Sequence, residues 1–399
     1  MISFEKAHRL VLDNIQDYGT ETVNLKDAVG RVLARDTYAD RDFPPFDRAT
    51  KDGIAIRYEA YEKGRRNFDV AGVQAAGASP SILENEASCL EIMTGALLPY
   101  DTDTVVMYEH LEISHGIATI IANPEKGQNI HARGSDKKKG DLLLKQDTRI
   151  APADIAILAS VGAIDVAVRK LPRTAIISTG DELVEVDEIP LPYQIRKSNS
   201  YQLHASLRKE GICPMLLHVA DDVDMIRQKL TYTFENVDVL LLSGGVSRGK
   251  FDFIPQVLEE LGVEKIFHRV SQKPGKPFWF GILRKTNTLV FSFPGNPVST
   301  YVCYYRYFSD WLTRSLHLPL EEISVILDET LMNRGDLTSF IGARTFWEKG
   351  CLKAVPVLGN GSGDLTSLAG VDGFICLEPR EASYSPGDSV TFVPTRNHL

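Results

Sequence analysis

Apolar residues open the chain at helical spacing: Phe4, Ala7, Val11 and Ile15 fall three or four positions apart, and the run ends at Gly19. This spacing predicts an amphipathic helix in need of a partner surface. After a mixed polar and apolar stretch comes Asp42-Phe43-Pro44-Pro45-Phe46, where two prolines impose a stiff, extended backbone ahead of Gly53. From about Ala55 to Pro124 the pattern becomes short β-like runs, such as Asp103 to Tyr108 and Gly116 to Ile121, cut by Gly, Pro and Asp. A small β-rich insert is expected there, and the polar loop Gly127 to Gly140, ending in three lysines, returns the chain to the first domain. Ala151 to Val168 is the most apolar stretch but contains Pro152, Asp154 and Asp165, so it predicts a helix, a stop at Gly162 and a strand.

From about Leu171 apolar strands alternate with helical patterns: Thr174 to Ser178, Ser200 to Glu210, Met215 to Val219, Asp224 to Phe234, Val237 to Leu242, Phe253 to Leu261 and Leu289 to Phe293. That alternation predicts a βαβ domain with a parallel sheet. From about Glu322 to Pro394 short strands with Gly and Pro turns return, predicting a C-terminal β-barrel or sandwich. The expected architecture is multidomain α/β plus β. It comprises a discontinuous mixed N-terminal domain (1–45 and 138–170), a β-rich insert (46–137), an α/β domain (171–318) and the barrel (319–399).

The composition is that of an ordinary globular protein: 399 residues, 43% hydrophobic and 24% charged, with 30 Gly and 20 Pro. That length predicts more than one core. Lys plus Arg number 44 against 53 Asp plus Glu, a net charge of −9, so no global field favours a polyanion and nucleic acid is not an expected partner. Cys89, Cys213, Cys303, Cys351 and Cys376 are odd in number and widely spaced, which argues against a disulfide framework or a structural zinc site. That cysteine usage makes a reducing cytoplasm the expected compartment, and the charged start and the absence of any run of 18 uncharged apolar residues predict neither signal peptide nor membrane span.

Candidate chemistry gathers where the α/β strands should end, which is where such sheets bind ligands. Thr179-Gly180-Asp181-Glu182, Ala220-Asp221-Asp222 and the run from Ser243 to Lys250, followed by Asp252, would share one rim. Carboxylates beside a glycine-rich backbone suit a magnesium ion holding a phosphate, since the metal takes hard oxygens and the phosphate takes N–H donors. Helix caps or solvated loop charges are the alternative for any one of these acids. Gly244, Gly249 and Lys250 also match the spacing of a nucleotide-hydrolase phosphate loop, although Phe251 stands where that loop needs a hydroxyl. In Lys273-Pro274-Gly275-Lys276-Pro277 two prolines stiffen a turn carrying two ammonium groups, an arrangement suited to an oxyanion; an ordinary exposed turn is the alternative. Pro294-Gly295-Asn296-Pro297-Val298-Ser299 follows a strand and opens the helix containing Tyr301 to Trp311. His204, His218 and His268 have no metal-ligand spacing.

Taken with Phe46 to Ala55, Met93-Thr94-Gly95-Ala96, Pro99 and Asp103-Thr104-Val105, these motifs resemble, in order and spacing, the molybdopterin molybdenumtransferases, the MoeA family that includes the gephyrin E domain. The resemblance covers nearly the whole chain. It implies a homodimeric, magnesium-dependent transferase with a three-layer molybdopterin-binding domain, which inserts molybdate into adenylylated molybdopterin and releases AMP. A molybdopterin adenylyltransferase would be the donor and molybdoenzymes the recipients. On matching positions it makes Asp52, Thr94, Asp136, Glu182, Asp221 and Asp252 the acidic and polar groups of the cleft, with Glu182, Asp221 and Asp252 as metal ligands. Lys273 and Lys276 would hold phosphate or molybdate. Ser243, Gly244, Gly245, Ser247, Pro294, Gly295, Asn296 and Ser299 would contact the cofactor, and Arg344 and Ser362 would line the molybdate side across the dimer.

The chain departs from the family pattern at Ala49-Thr50-Lys51, Arg248 and Lys250, which places the three extra cations Lys51, Arg248 and Lys250 near the presumed cleft, and at Arg269, which keeps a lysine's charge but changes its donor geometry. Surface drift accounts for them in one reading. In another they mark a paralogue with altered ligand or metal preference, serving as a binding or scaffold protein.

Overall fold

The computed structural model describes residues 1–246 and 252–396. Its opening helix, Phe4–Leu12, begins at Ser3, whose hydroxyl accepts from the Lys6 N–H at 3.2 Å, a standard N-cap. It stops a turn before the periodicity does: Ile15 lies beyond its end and is 46% exposed. Phe4, Ala7 and Val11 are buried with Val270, Phe278, Tyr307 and Phe340, so the partner surface belongs to the α/β domain and its junction with the barrel. The Phe4 and Phe340 rings meet edge-on at 5.2 Å.

Three antiparallel strand pairs tie the two passages between the first segment and the insert. Thr20–Asn24 pairs with Asp165–Arg169, Thr37–Tyr38 with Leu142–Leu144, and Arg48–Ala49 with Ile130–His131. The helix Pro152–Ser160 ends before Gly162, at φ 75°, and leads into the strand at Asp165, as the apolar stretch predicts. Between these passages lies a six-stranded mixed sheet in the order Thr104–Met107, Gly53–Ile56, Ser88–Ile92, Asn67–Gln74, Ile117–Ile120 and Leu111–Ser114. Only glycine fits at position 53, where a Cβ would lie 1.9 Å from the Val106 carbonyl oxygen.

The α/β sheet runs Met215–Val219, Thr174–Thr179, Val239–Ser243, Thr288–Phe293, Trp279–Leu283 and Glu264–His268. The first four strands are parallel, and the last two join antiparallel. The antiparallel pair escapes the alternating strand and helix pattern because no helix separates its members. Strands buried on both faces carry near-continuous apolar runs, as Val239–Ser243 does with every residue buried. The helix opened by Pro297 widens into π-type turns over Tyr304–Ser309 before resuming at Asp310–Ser315.

At the C-terminus five strands close into a barrel: Thr338–Glu348, Cys351–Pro356, Ile323–Leu327, Ser389–Pro394 and Gly373–Leu377, the last pairing back to the first. Closure removes the free edges. One short strand from the α/β domain, Gln272–Lys273, adds alongside Thr338 and Ser339, so the lysine turn is fastened to the barrel wall. Among the described residues no helix is long and apolar enough to cross a membrane, and the five cysteines are unpaired.

Candidate functional site

Parallel strands end together, and here their ends bring separate sequence motifs to one place. Thr179, Gly180 and Glu182 from the first strand end, Asp221 from the second, Gly244, Gly245 and Val246 from the third, Gly295 and Asn296 from the fourth, and Asp252 line one cavity of about 290 Å³. Glycine matters at two of these positions. At Gly245 the backbone has φ 69°, and a Cβ would sit 2.6 Å from Ile254 and 3.0 Å from the Thr179 hydroxyl. At Gly180, φ 135°, a Cβ would lie 2.4 Å from a carboxylate oxygen of Glu182, which folds back over it.

The acids of this rim crowd one another. Burial pushes the Asp221 carboxyl above its usual range, and the charges of Asp181, Glu182 and Asp252 push it further. The Asp221 N–H donates to Asp181 at 3.1 Å, fixing one acidic loop to the next. Among the described residues no three His, Cys, Asp or Glu side chains already form a closed set of metal ligands. The donor chemistry nevertheless fits magnesium, which takes carboxylate oxygens, fills its shell with water and phosphate, and would relieve this repulsion.

A second cavity of about 490 Å³ shares Thr179, Glu182, Gly244 and Gly295 with the first and extends to Ser243, Lys197, Asn199, Gly363 and Leu365. Lys197, 8% exposed, pairs with Glu185 at 2.5 Å and pins the excursion between Glu182 and Asn199. His218 is held below its usual range by burial and then by Lys197; it contacts Ser178 and has no place in the acid rim. A third cavity of about 480 Å³, between the α/β domain and the barrel, is lined by Lys273, Ser339, Phe340, Ser362 and Phe374 among others. One side chain links it to the acid rim: Asn296 Nδ2 donates to the Ser362 hydroxyl at 2.7 Å.

Ser362 meets the Pro294 to Ser299 turn within its own chain. Arg344 lies on the barrel strand with its Nε donating to the Gly370 carbonyl at 2.9 Å. Pro294 and Ser299 are buried supports of the turn, and Thr300 donates to the Pro294 carbonyl at 2.6 Å. Lys276 lines none of the three cavities; its carbonyl accepts from the Val270 N–H at 2.9 Å.

Asp52, Thr94 and Asp136 also line none of these cavities and belong to the insert and its return loop. The Asp52 carboxylate accepts from the Thr94 N–H at 2.6 Å, which holds its carboxyl below the usual range. His131 faces Asp136 at 2.8 Å and is backed by Arg48 at 3.2 Å. Because Arg48 can only donate, Nδ1 is the acceptor and Nε2–H points at Asp136. Lys51 is exposed, and Arg269 sits at φ 73° with its N–H donating to Phe278. Ser247, Arg248 and Lys250, with Gly249 and Phe251 of the phosphate-loop reading, lie outside the described residues.

Sequence reasoning missed Asn199 and Gln272, two polar residues that organise these loops. A polar residue at a helix start reads as a cap, and one in a short strand reads as surface.

Three family profiles match the chain in order. They are the MoeA N-terminal region (domain I and II) over residues 2–162, a probable molybdopterin binding domain over 175–314, and the MoeA C-terminal region (domain IV) over 324–395. A molybdopterin molybdenumtransferase of Synechocystis sp. is 38% identical over 397 residues, covering 98% of this chain and 99% of that protein. One from Bacillus subtilis is 32% identical, covering 98% of this chain and 93% of that protein. The crystal structure of a molybdopterin biosynthesis MoeA protein from Pyrococcus horikoshii superposes with a TM-score of 0.83 at 29% identity, covering 100% of both chains.

Proposed function

Because this chain belongs to the MoeA family of molybdopterin molybdenumtransferases and is thereby a transferase of molybdenum cofactor biosynthesis, we propose that it inserts molybdate into adenylylated molybdopterin with magnesium-dependent release of AMP. One observation carries this reading: the acid rim and the lysine-lined cavity adjoin, with the Asn296–Ser362 hydrogen bond as their common wall. A phosphoanhydride and an oxyanion bound there would be neighbours, as insertion coupled to hydrolysis requires.

The substrate's phosphates would lie over Gly245 and Gly295, whose backbone a ligand can approach closely. Glu182, Asp221 and Asp252 would hold magnesium and orient a water. Bound there, the ion supplies neutralisation of phosphate charge and polarisation of the phosphorus–oxygen bond. Lys273 and Lys276 would attract molybdate, a tetrahedral dianion, with Asn296 and Ser362 offering polar contacts beside it. No protein nucleophile is needed, and the work of the side chains is to position and to balance charge. Asp52, Thr94 and Asp136 enter the site in this reading by reaching the cavities of a partner subunit in a homodimer.

The test is AMP release from adenylylated molybdopterin by the purified protein with magnesium, with and without molybdate, and with ATP as control substrate. Molybdate-dependent AMP release is expected. Binding without AMP release would favour the scaffold reading, to which the cations Lys51, Arg248 and Lys250 also point; ATP turnover alone would favour the nucleotide hydrolase.

A further inference from the structure

The lysine turn rests on a polar network sealed inside the core. Gln272 is fully buried although it precedes Lys273, which is exposed. Successive residues of a strand point to opposite sides, so whatever fixes the Gln272 side chain also fixes the direction of Lys273. The Gln272 amide Nε2 donates to the Pro274 carbonyl at 2.9 Å and contacts Cys303 Sγ at 3.6 Å. Its Oε1 accepts from the Tyr307 hydroxyl. Since the Pro274 carbonyl can only accept, the amide has one orientation, and Tyr307 must be a donor. Burial raises the Tyr307 phenol well above its usual range, so that donor is kept at working pH.

Two further features tighten the arrangement. Gly275, at φ 98°, leaves no room for a side chain: a Cβ would lie 2.5 Å from Gln272 Nε2 and 2.6 Å from Cys303 Sγ. Tyr307 projects from the widened π-type turns Tyr304–Ser309, and its ring stacks on Phe278 at 4.4 Å, so it cannot readily tilt away. Such widened turns frequently accompany functional sites.

We infer that Gln272 and Tyr307 are positioning residues for the Lys273 to Lys276 turn, setting its affinity for the oxyanion without touching it. The inference rests on the reading of that turn as the molybdate clamp. Tyr307→Phe removes one donor and keeps the ring, and Gln272 is then free to rotate its amide and release Pro274. The neighbouring Tyr304 supplies a matched control, being 2% exposed with a hydroxyl that has no hydrogen-bond partner among the described residues.

The experiment is titration calorimetry of the full chain with molybdate, alongside steady-state AMP release with molybdate varied. Tyr307→Phe should weaken molybdate binding about tenfold, the equivalent of about 1.4 kcal/mol. It should raise the molybdate KM to match, leave kcat at saturating molybdate within about twofold, and leave the KM for adenylylated molybdopterin unchanged. Tyr304→Phe should match the wild type. Gln272→Met should weaken molybdate binding as Tyr307→Phe does, and the double variant should be no worse than either single one. Equal losses in Tyr304→Phe and Tyr307→Phe, or a Tyr307→Phe protein that binds as the wild type does, would overturn the positioning role. A wild type that binds no molybdate would instead overturn the clamp on which that role depends.

Discussion

Asn199 Nδ2 donates to the Gly295 carbonyl at 2.6 Å, and the same nitrogen donates to the Ser243 hydroxyl at 3.0 Å. The carbonyl accepts only, so the amide is held one way round. Two strand-end loops that share no sequence neighbourhood are thereby fixed to the start of one helix.

Asn199→Ala should lower stability by about 1–2 kcal/mol, because it removes a donor from partners that are partly sheltered from water. Turnover should fall much further, since both loops of the glycine floor lose their common anchor. Urea unfolding beside AMP release separates the two effects, and a variant with full turnover would remove Asn199 from the site's supports.

Gly245→Ala and Gly295→Ala should behave differently. The first forces a Cβ against Ile254 and Thr179 at positive φ and should cost about 1–3 kcal/mol in stability. In the second the nearest atom is the Gly244 Cα at 3.7 Å, an ordinary contact, so folding should be untouched. A loss of AMP release in Gly295→Ala at wild-type thermal stability would then report the approach of the substrate to the backbone.

Asp221 keeps its proton to higher pH in the folded chain than in the unfolded one, chiefly through burial and then through Asp181 and Glu182. Between the usual carboxylate range and that raised value the folded state binds more protons, so this group's contribution to stability falls as pH rises through the window and levels off above it. Asp221→Asn should flatten that part of the profile, measured by urea unfolding from about pH 4 to 8. It should also abolish turnover and the rise in melting temperature on adding magnesium. A magnesium-induced rise that survives the substitution would exclude Asp221 as a ligand.

Asp52 provides a test of a shared site. The Asp52→Ala and Asp221→Asn proteins should each be inactive, yet in the proposed homodimer mixing them with subunit exchange should restore about a quarter of wild-type turnover, because half of the dimers would be mixed and each would carry one intact site. No recovery after exchange confirmed by native mass spectrometry would place Asp52 and Asp221 in the same subunit's site.

The acid rim was legible because Glu182 and Asp221 follow apolar strands within three residues, Asp252 follows the glycine-rich run after a third, and a parallel sheet gathers strand ends. Glu182, Asp221 and Asp252 group together on that ground from the sequence alone. The first helix was legible only in part: its apolar spacing runs on to Ile15, whereas the backbone leaves the helix after Leu12. Gln272 was illegible, because a glutamine in a two-residue strand gives no period from which to read its direction. Tyr307 reads as one more aromatic in an apolar helix.

Periodicity and turn chemistry act over a few residues, so the sequence by itself determined the kinds of element, the change from insert to α/β domain to barrel, and the glycine and proline loops at strand ends. Which of those loops meet depends on sheet order and on how the barrel seats against the α/β domain. Only the tertiary structure therefore joined Asn296 to Ser362, 66 positions apart, fastened Lys273 to the barrel strand at Ser339, and gave the opening helix its partner around Tyr307 and Phe340. Contacts across such separations are set by topology and by the packing of large buried side chains, and local sequence patterns carry neither.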